Sequence, residues 1–251
     1  MERLAPIRFV LDHTSHPGNI GAAARAMKVM GLSDLHLVAP SVFPSAEATA
    51  RASSADDLLH RAPVHATLDE ALAGCVWVAG TSHRAEQVDQ PLLEPREAAA
   101  EALSQPGPVA VVFGCERSGM DNEAMDRCHA LVRIPTGPDY TSLNLAQAVQ
   151  IVAYELHLAA RDNSTEPVRS ARPPASAERL AVFFQRLETT LRAIRFSTPG
   201  QDEMLHRRLR RVFMRARPDD DELNMLNGML SRTLSTAKRR DANDVETDNG
   251  Q

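Results

Sequence analysis

From residue 6 to about residue 160 the chain alternates short apolar runs with helical segments, an order that few folds accommodate. Ile7 to Leu11, Leu35 to Val38, Val76 to Ala79, Val109 to Phe113 and Leu131 to Ile134 are brief, rich in β-branched residues and almost free of polar ones. Such runs predict strands buried on both faces rather than strands with one wet side. Helical spacing covers Gly18–Met30, Ala46–Ala52, Leu68–Ala73, Pro95–Leu103 and Asn122–Cys128 between them. Strand–helix alternation predicts an α/β fold, a mostly parallel sheet with helices on both faces. Ligands of such sheets bind beyond the carboxyl ends of the strands, so the loops that follow the strands are where chemistry is expected.

The pattern changes at Asp162. Residues 162–175 hold Pro167, Pro173 and Pro174 and almost nothing apolar, which predicts a linker between a domain at 1–161 and a helical module at 176–240. Ser176–Ile194, Gln201–Arg217 and Asp219–Lys238 have helical periodicity, with Pro199-Gly200 and Pro218 as breaks. Leu180, Phe183, Phe184, Leu187 and Leu191 share one face of the first helix. The polar residues 241–251 are expected to form a disordered tail.

Composition removes several classes. A net charge of −5 does not describe a general nucleic-acid binder. Cys75, Cys115 and Cys128 are odd in number and form no C-x-x-C pair, so buried free thiols are expected. No metal-ligand spacing is present. The N-terminus lacks a long apolar stretch and no apolar run approaches the ~18 residues of a membrane span, so a cytoplasmic protein is expected. The sequence has no G-x-x-x-x-G-K-[ST], no G-x-G-x-x-G after a strand and no G-x-S-x-G.

Three loops carry the functional signal. In Pro17-Gly18-Asn19-Ile20-Gly21-Ala22-Ala23-Ala24-Arg25, helical spacing puts Arg25 over Gly21, with Gly18 and Ala22 beside them. A guanidinium above a surface of small residues suits phosphate or ribose oxygens, although a solvated arginine on a packed helix has the same pattern. Gly114-Cys115-Glu116-Arg117-Ser118-Gly119 follows a buried strand, and Gly114 there permits close approach of backbone to a ligand. Pro135-Thr136-Gly137-Pro138-Asp139-Tyr140-Thr141-Ser142 runs into the apolar segment Leu143–Val152, with Ser142 at the expected helix N-cap. Thr81-Ser82-His83 adds a fourth polar strand end.

In this order the loops resemble the three motifs of the SPOUT superfamily, the trefoil-knotted RNA methyltransferases. The 2′-O-ribose branch has Asn-x-Gly-x-x-x-Arg, matched by Asn19, Gly21 and Arg25. It has Gly-x-Glu-x-x-Gly, matched by Gly114, Glu116 and Gly119, and Ser-Leu-Asn-x-x-x-Ala, matched by Ser142, Leu143, Asn144 and Ala148. The segment Ala24-Arg25-Ala26-Met27-Lys28-Val29-Met30-Gly31-Leu32 and the helical extension resemble the members that methylate the ribose of nucleotide 32, cytidine or uridine, in the tRNA anticodon loop.

The resemblance implies a trefoil knot, S-adenosyl-L-methionine as methyl donor, tRNA rather than DNA as substrate, and a homodimer with the Leu143–Leu158 helix near its interface. The donor is expected to contact Thr81, Ser82, His83, Gly114, Glu116, Gly119, Ile134, Thr141, Ser142, Leu143 and Asn144. Arg25 is expected to bind a flanking phosphate and stabilise the developing alkoxide. It is a poor base because guanidinium stays protonated. Ser142 is expected to bond the 2′-hydroxyl or orient Arg25, Asn19 to fix the loop or the ribose, and Tyr140 to shape the pocket. Arg207, Arg208, Arg210, Arg211, Arg215 and Arg217 crowd one segment and are expected to bind RNA phosphates together with Arg25. They could instead pair with Glu203, Asp219, Asp220 and Asp221. A member of the same superfamily acting on rRNA ribose or on a base nitrogen is the alternative activity.

Overall fold

The computed structural model describes residue 4 and residues 6–82, 90–139, 141–161, 173–196 and 202–248, with side chains as far as residue 239. Seven parallel strands are β1 (Ile7–Asp12), β2 (Asp34–Val38), β3 (Val64–His65), β4 (Trp77–Thr81), β5 (Leu92–Leu93), β6 (Val109–Phe113) and β7 (Ala130–Val132). Their order across the sheet is β3-β2-β1-β6-β4-β7-β5. The chain first lays strands outward from β1 and then returns to insert β6 between β1 and β4. In consequence Asp12, Phe113, Thr81 and Val132 end four adjacent strands at one edge, and the loops that follow them converge.

The period-two alternation of strand side chains sorts the sheet into two layers. Phe9, Leu11, Val111 and Phe113 point to one face, where Phe9 and Phe113 stack at 5.3 Å. That layer is closed by α1 (Pro17–Val29), α2 (Ala46–Ala52), α3 (Asp56–Arg61), α5 (Pro95–Ser104) and α7 (Leu145–Arg161). Val10, Val78, Ala110 and Val112 point to the other face, under α4 (Leu68–Leu72) and α6 (Asn122–Asp126). Gly21 is needed for this packing, because a Cβ there would sit 2.0 Å from the carbonyl oxygen of Ala48 in α2. The α1 surface around Gly21 is therefore filled by α2, not left open for a substrate as the sequence suggested.

The helical module consists of α8 (Ala177–Ala193), α9 (Asp202–Ala216) and α10 (Asp220–Asp248) around a small core of Leu180, Phe183, Phe184, Met214 and Leu223. Ala175, at the end of the expected linker, is buried in that core, and the Ala177 N–H donates to the Cys75 carbonyl at 2.7 Å. The expected alternation and parallel sheet are present. The two-residue strands β3 and β5, helix α3 and a 3₁₀ turn at Ser53–Ala55 were not foreseen. The helix at the chain's end runs through Asp248 where a disordered tail was expected from 241. No proline or glycine interrupts residues 229–248, so nothing in the local sequence stops it.

Candidate active site

The loop after β1 presents its N–H groups to a carboxylate from the loop after β6. Glu116 accepts hydrogen bonds from the Ser15 N–H at 2.8 Å, the Ser15 hydroxyl at 2.8 Å, the His16 N–H at 3.3 Å and the Asn19 side-chain amide at 2.8 Å. Burial pushes its pKa up, but the Asn19 and Ser15 hydrogen bonds outweigh this and hold it at about 2. Asn19 in turn accepts, at its Oδ1, the Asn144 amide at 2.9 Å. Three loops far apart in sequence are thus joined by one chain of polar contacts, Glu116 to Asn19 to Asn144. This assigns Asn19 a structural place: both ends of its amide are occupied by protein.

Asn144, not Ser142, caps the helix that follows. Its Oδ1 accepts the Ala146 N–H at 2.9 Å, and the Gln147 side chain accepts the Asn144 N–H at 3.1 Å, a reciprocal N-cap arrangement. α7 accordingly begins at Leu145. Released from capping, Ser142 stands in the loop and lines the cleft beside it.

That cleft lies over the strand ends. Its walls include Thr81, Ser82, Gly114, Glu116, Gly119, Ile134, Thr141, Ser142 and Leu143, all foreseen as donor contacts. Asn144 does not line it, and His83 and Tyr140 lie outside the described residues. Sequence reasoning missed Phe113, Val132, Leu145 and Ala148, which make the floor apolar, and Cys115 and Arg117 at its edge. Strand-end position was the available signal for Phe113 and Val132. Cys115 is half-buried rather than buried as expected, whereas Cys75 and Cys128 are fully buried with their thiols pushed up by burial.

The Gly114–Gly119 loop folds on itself. The Gly119 N–H donates to the Cys115 carbonyl at 2.8 Å, Gly119 has φ of 68°, and a Cβ on Gly114 would fall 2.4 Å from the Gly119 carbonyl carbon. The glycine at 114 therefore admits the backbone of its own loop, where the sequence suggested a ligand.

Apolar residues over the strand ends suit a flat heterocycle, and the Thr141 and Ser142 hydroxyls suit its polar rim, so the residues present fit S-adenosyl-L-methionine.

Arg25 is exposed and lies in a second, shallower depression with Ala22, Ala26, Val29, Gln147, Gln150 and Ile151. Leu143 lines both hollows. Arg25 and Ser142, expected to act together, line different hollows of one chain.

The arginines of α9, with Arg217 just past its end, make contacts within the protein. Arg207 and Arg211 flank the buried carboxylate of Asp126 at 3.3 and 3.7 Å. Arg210 stacks 4.4 Å over the Phe184 ring, and Arg217 pairs with Glu101 at 2.8 Å and with Gln105. These four hold the module's own core or fasten it to the sheet domain. Arg207 also pairs with Glu203 at 3.0 Å, the local partner the sequence offered, whereas Asp126 and Glu101 are invisible to a reading of neighbouring residues. Arg208 and Arg215 remain exposed.

Fold and cleft together define an α/β protein with a cleft over the ends of its parallel strands. Residues 6–154 match the SpoU rRNA methylase family and residues 178–242 match the C-terminal domain of the tRNA methyltransferase TrmJ. The chain belongs to the SpoU methylase family. It is 45% identical over 234 residues to the tRNA (cytidine/uridine-2′-O-)-methyltransferase TrmJ of Pectobacterium atrosepticum, covering 92% of this chain and 97% of that one. The crystal structure of TrmJ from Z. mobilis ZM4 is similar, with a TM-score of 0.81 and 34% identity over 90% of this chain and 97% of that one. The AdoMet-bound rRNA methyltransferase from Sinorhizobium meliloti is more distant, with a TM-score of 0.50 and 25% identity over 63% of this chain and 57% of that one.

Proposed function

We propose that this protein transfers the methyl group of S-adenosyl-L-methionine to the ribose 2′-hydroxyl of nucleotide 32, cytidine or uridine, in the tRNA anticodon loop, as a cytoplasmic homodimer. The observation that carries the reading is the Glu116–Asn19–Asn144 chain, which locks the three motif loops around one cleft. The named activity of relatives at 45% identity supplies the substrate class.

The donor supplies an electrophilic methyl group on a sulfonium. What the protein must add is alignment of a weak nucleophile and a way for its proton to leave. Ser142, on the cleft wall, orients the ribose hydroxyl. Arg25 stays cationic and stabilises charge developing on the 2′-oxygen while holding the neighbouring phosphate. Ser142 and Arg25 line different hollows of one chain, and a second copy packed against the α1–α7 face is expected to complete a site that uses both. Arg208 and Arg215 give RNA phosphates a salt-sensitive hold on the module.

The test is methylation of tRNA transcripts by Arg25→Ala. Removal of one preorganised electrostatic donor is expected to lower kcat by about 10²–10³-fold, with binding of S-adenosylhomocysteine unchanged. Activity within threefold of wild type overturns the role of Arg25. Methyl groups recovered on a base or only on rRNA would favour the alternative activity.

A further inference from the structure

We propose that Arg117 is the residue that grips the carboxylate of the methyl donor's amino-acid tail. The proposal deepens the donor-cleft reading and rests on it. Among the described residues lining the cleft, only Glu116 and Arg117 carry a formal charge. Glu116 is consumed by four donors from the β1–α1 loop and has its charge turned into the protein. Arg117 is exposed on the cleft edge and makes no hydrogen bond or ion pair with a described residue. Nothing in its immediate sequence neutralises it either, because the adjacent carboxylate faces Ser15 and Asn19 rather than the guanidinium.

Its mounting favours recognition over chance exposure. Arg117 sits at the middle of a loop closed by the Gly119-to-Cys115 hydrogen bond and by the contact of Gly114 with the Gly119 backbone. The base of the side chain is therefore fixed, and an arginine with a fixed base loses less freedom when it binds. The donor and its product both end in a zwitterionic tail whose carboxylate matches the planar fork of a guanidinium. The nucleoside end has no charge for Arg117 to meet. The apolar floor of Phe113, Val132, Ile134 and Leu145 takes the heterocycle, which leaves the charged tail to the edge where Arg117 stands.

The experiment compares S-adenosylhomocysteine with 5′-methylthioadenosine, the same nucleoside thioether without the carboxylate, by calorimetry on the full-length wild type, Arg117→Ala and Arg117→Lys. A lost charged hydrogen bond is expected to weaken S-adenosylhomocysteine by about 10- to 100-fold in Arg117→Ala, with partial recovery in Arg117→Lys and methylthioadenosine within twofold throughout. Equal loss for both ligands means the loop has been disturbed and overturns the proposal. Unchanged affinity for both overturns it as well, as does weakened tRNA binding with donor affinity intact, which would assign Arg117 to an RNA phosphate. Failure of the wild type to bind either ligand would instead remove the donor-cleft reading itself.

Discussion

Replacing Glu116 by glutamine keeps the size of the side chain and removes the charge on which four donors converge. Two of those donors are backbone N–H groups that have no other partner in the β1–α1 loop. The carboxylate is held at about 2 against a usual 4.5, a displacement equivalent to at most about 3.4 kcal/mol of folding free energy. Glu116 is partly open to water, and screening brings the expected contribution to about 1–2 kcal/mol. For a chain of this size that corresponds to a loss of roughly 2–8 °C in Tm at neutral pH. The folded value lies below the unfolded one, so the stabilisation is fully present above about pH 5.5 and is lost as pH falls through 4.5 toward 2. By about pH 3 less than half of it remains. Thermal and urea unfolding of wild type and Glu116→Gln, followed by circular dichroism from pH 7 to pH 3, should show a gap that narrows in that window. A variant that melts within 1 °C of wild type at pH 7 would refute the reasoning, and so would a deficit that stays constant down to pH 3.

Gly114→Ala is expected to abolish donor binding, because the added methyl meets backbone atoms of Gly119 and Met120 at 2.4 Å and the loop cannot close; calorimetry with S-adenosylhomocysteine checks this. Asp126→Ala is expected to remove the carboxylate that Arg207 and Arg211 share and to loosen the helical module, read as faster proteolysis of the protein with donor affinity unchanged.

How much of this was legible in the sequence depends on what each residue touches. The strands β1, β4 and β6 are visible because burial on both faces demands uninterrupted apolar residues. β3 and β5 are not, since two residues at the sheet edges carry no periodicity. The cleft could be anticipated from the order of the three loops, yet the partners that build it could not. Nothing near Glu116 in the sequence points to Ser15 and Asn19, about a hundred positions away. The cap at Asn144 had a local signal, Gln147 three residues on, which Ser142 obscured by standing two residues closer to the turn. The arginines from 207 to 217 show the same limit for charge: six in eleven residues suggest a surface for RNA, and Glu203 is a visible partner for Arg207, but Asp126 on α6 and Glu101 on α5 take three of them by tertiary contact.

The central claim is methyl transfer to one ribose hydroxyl. The most direct measurement uses labelled S-adenosyl-L-methionine with two tRNA transcripts that differ only in the presence or absence of the 2′-hydroxyl at nucleotide 32. Stoichiometric label is expected on the first and background label on the second. Equal labelling of both, or no transfer to either by enzyme that binds S-adenosylhomocysteine, would contradict it.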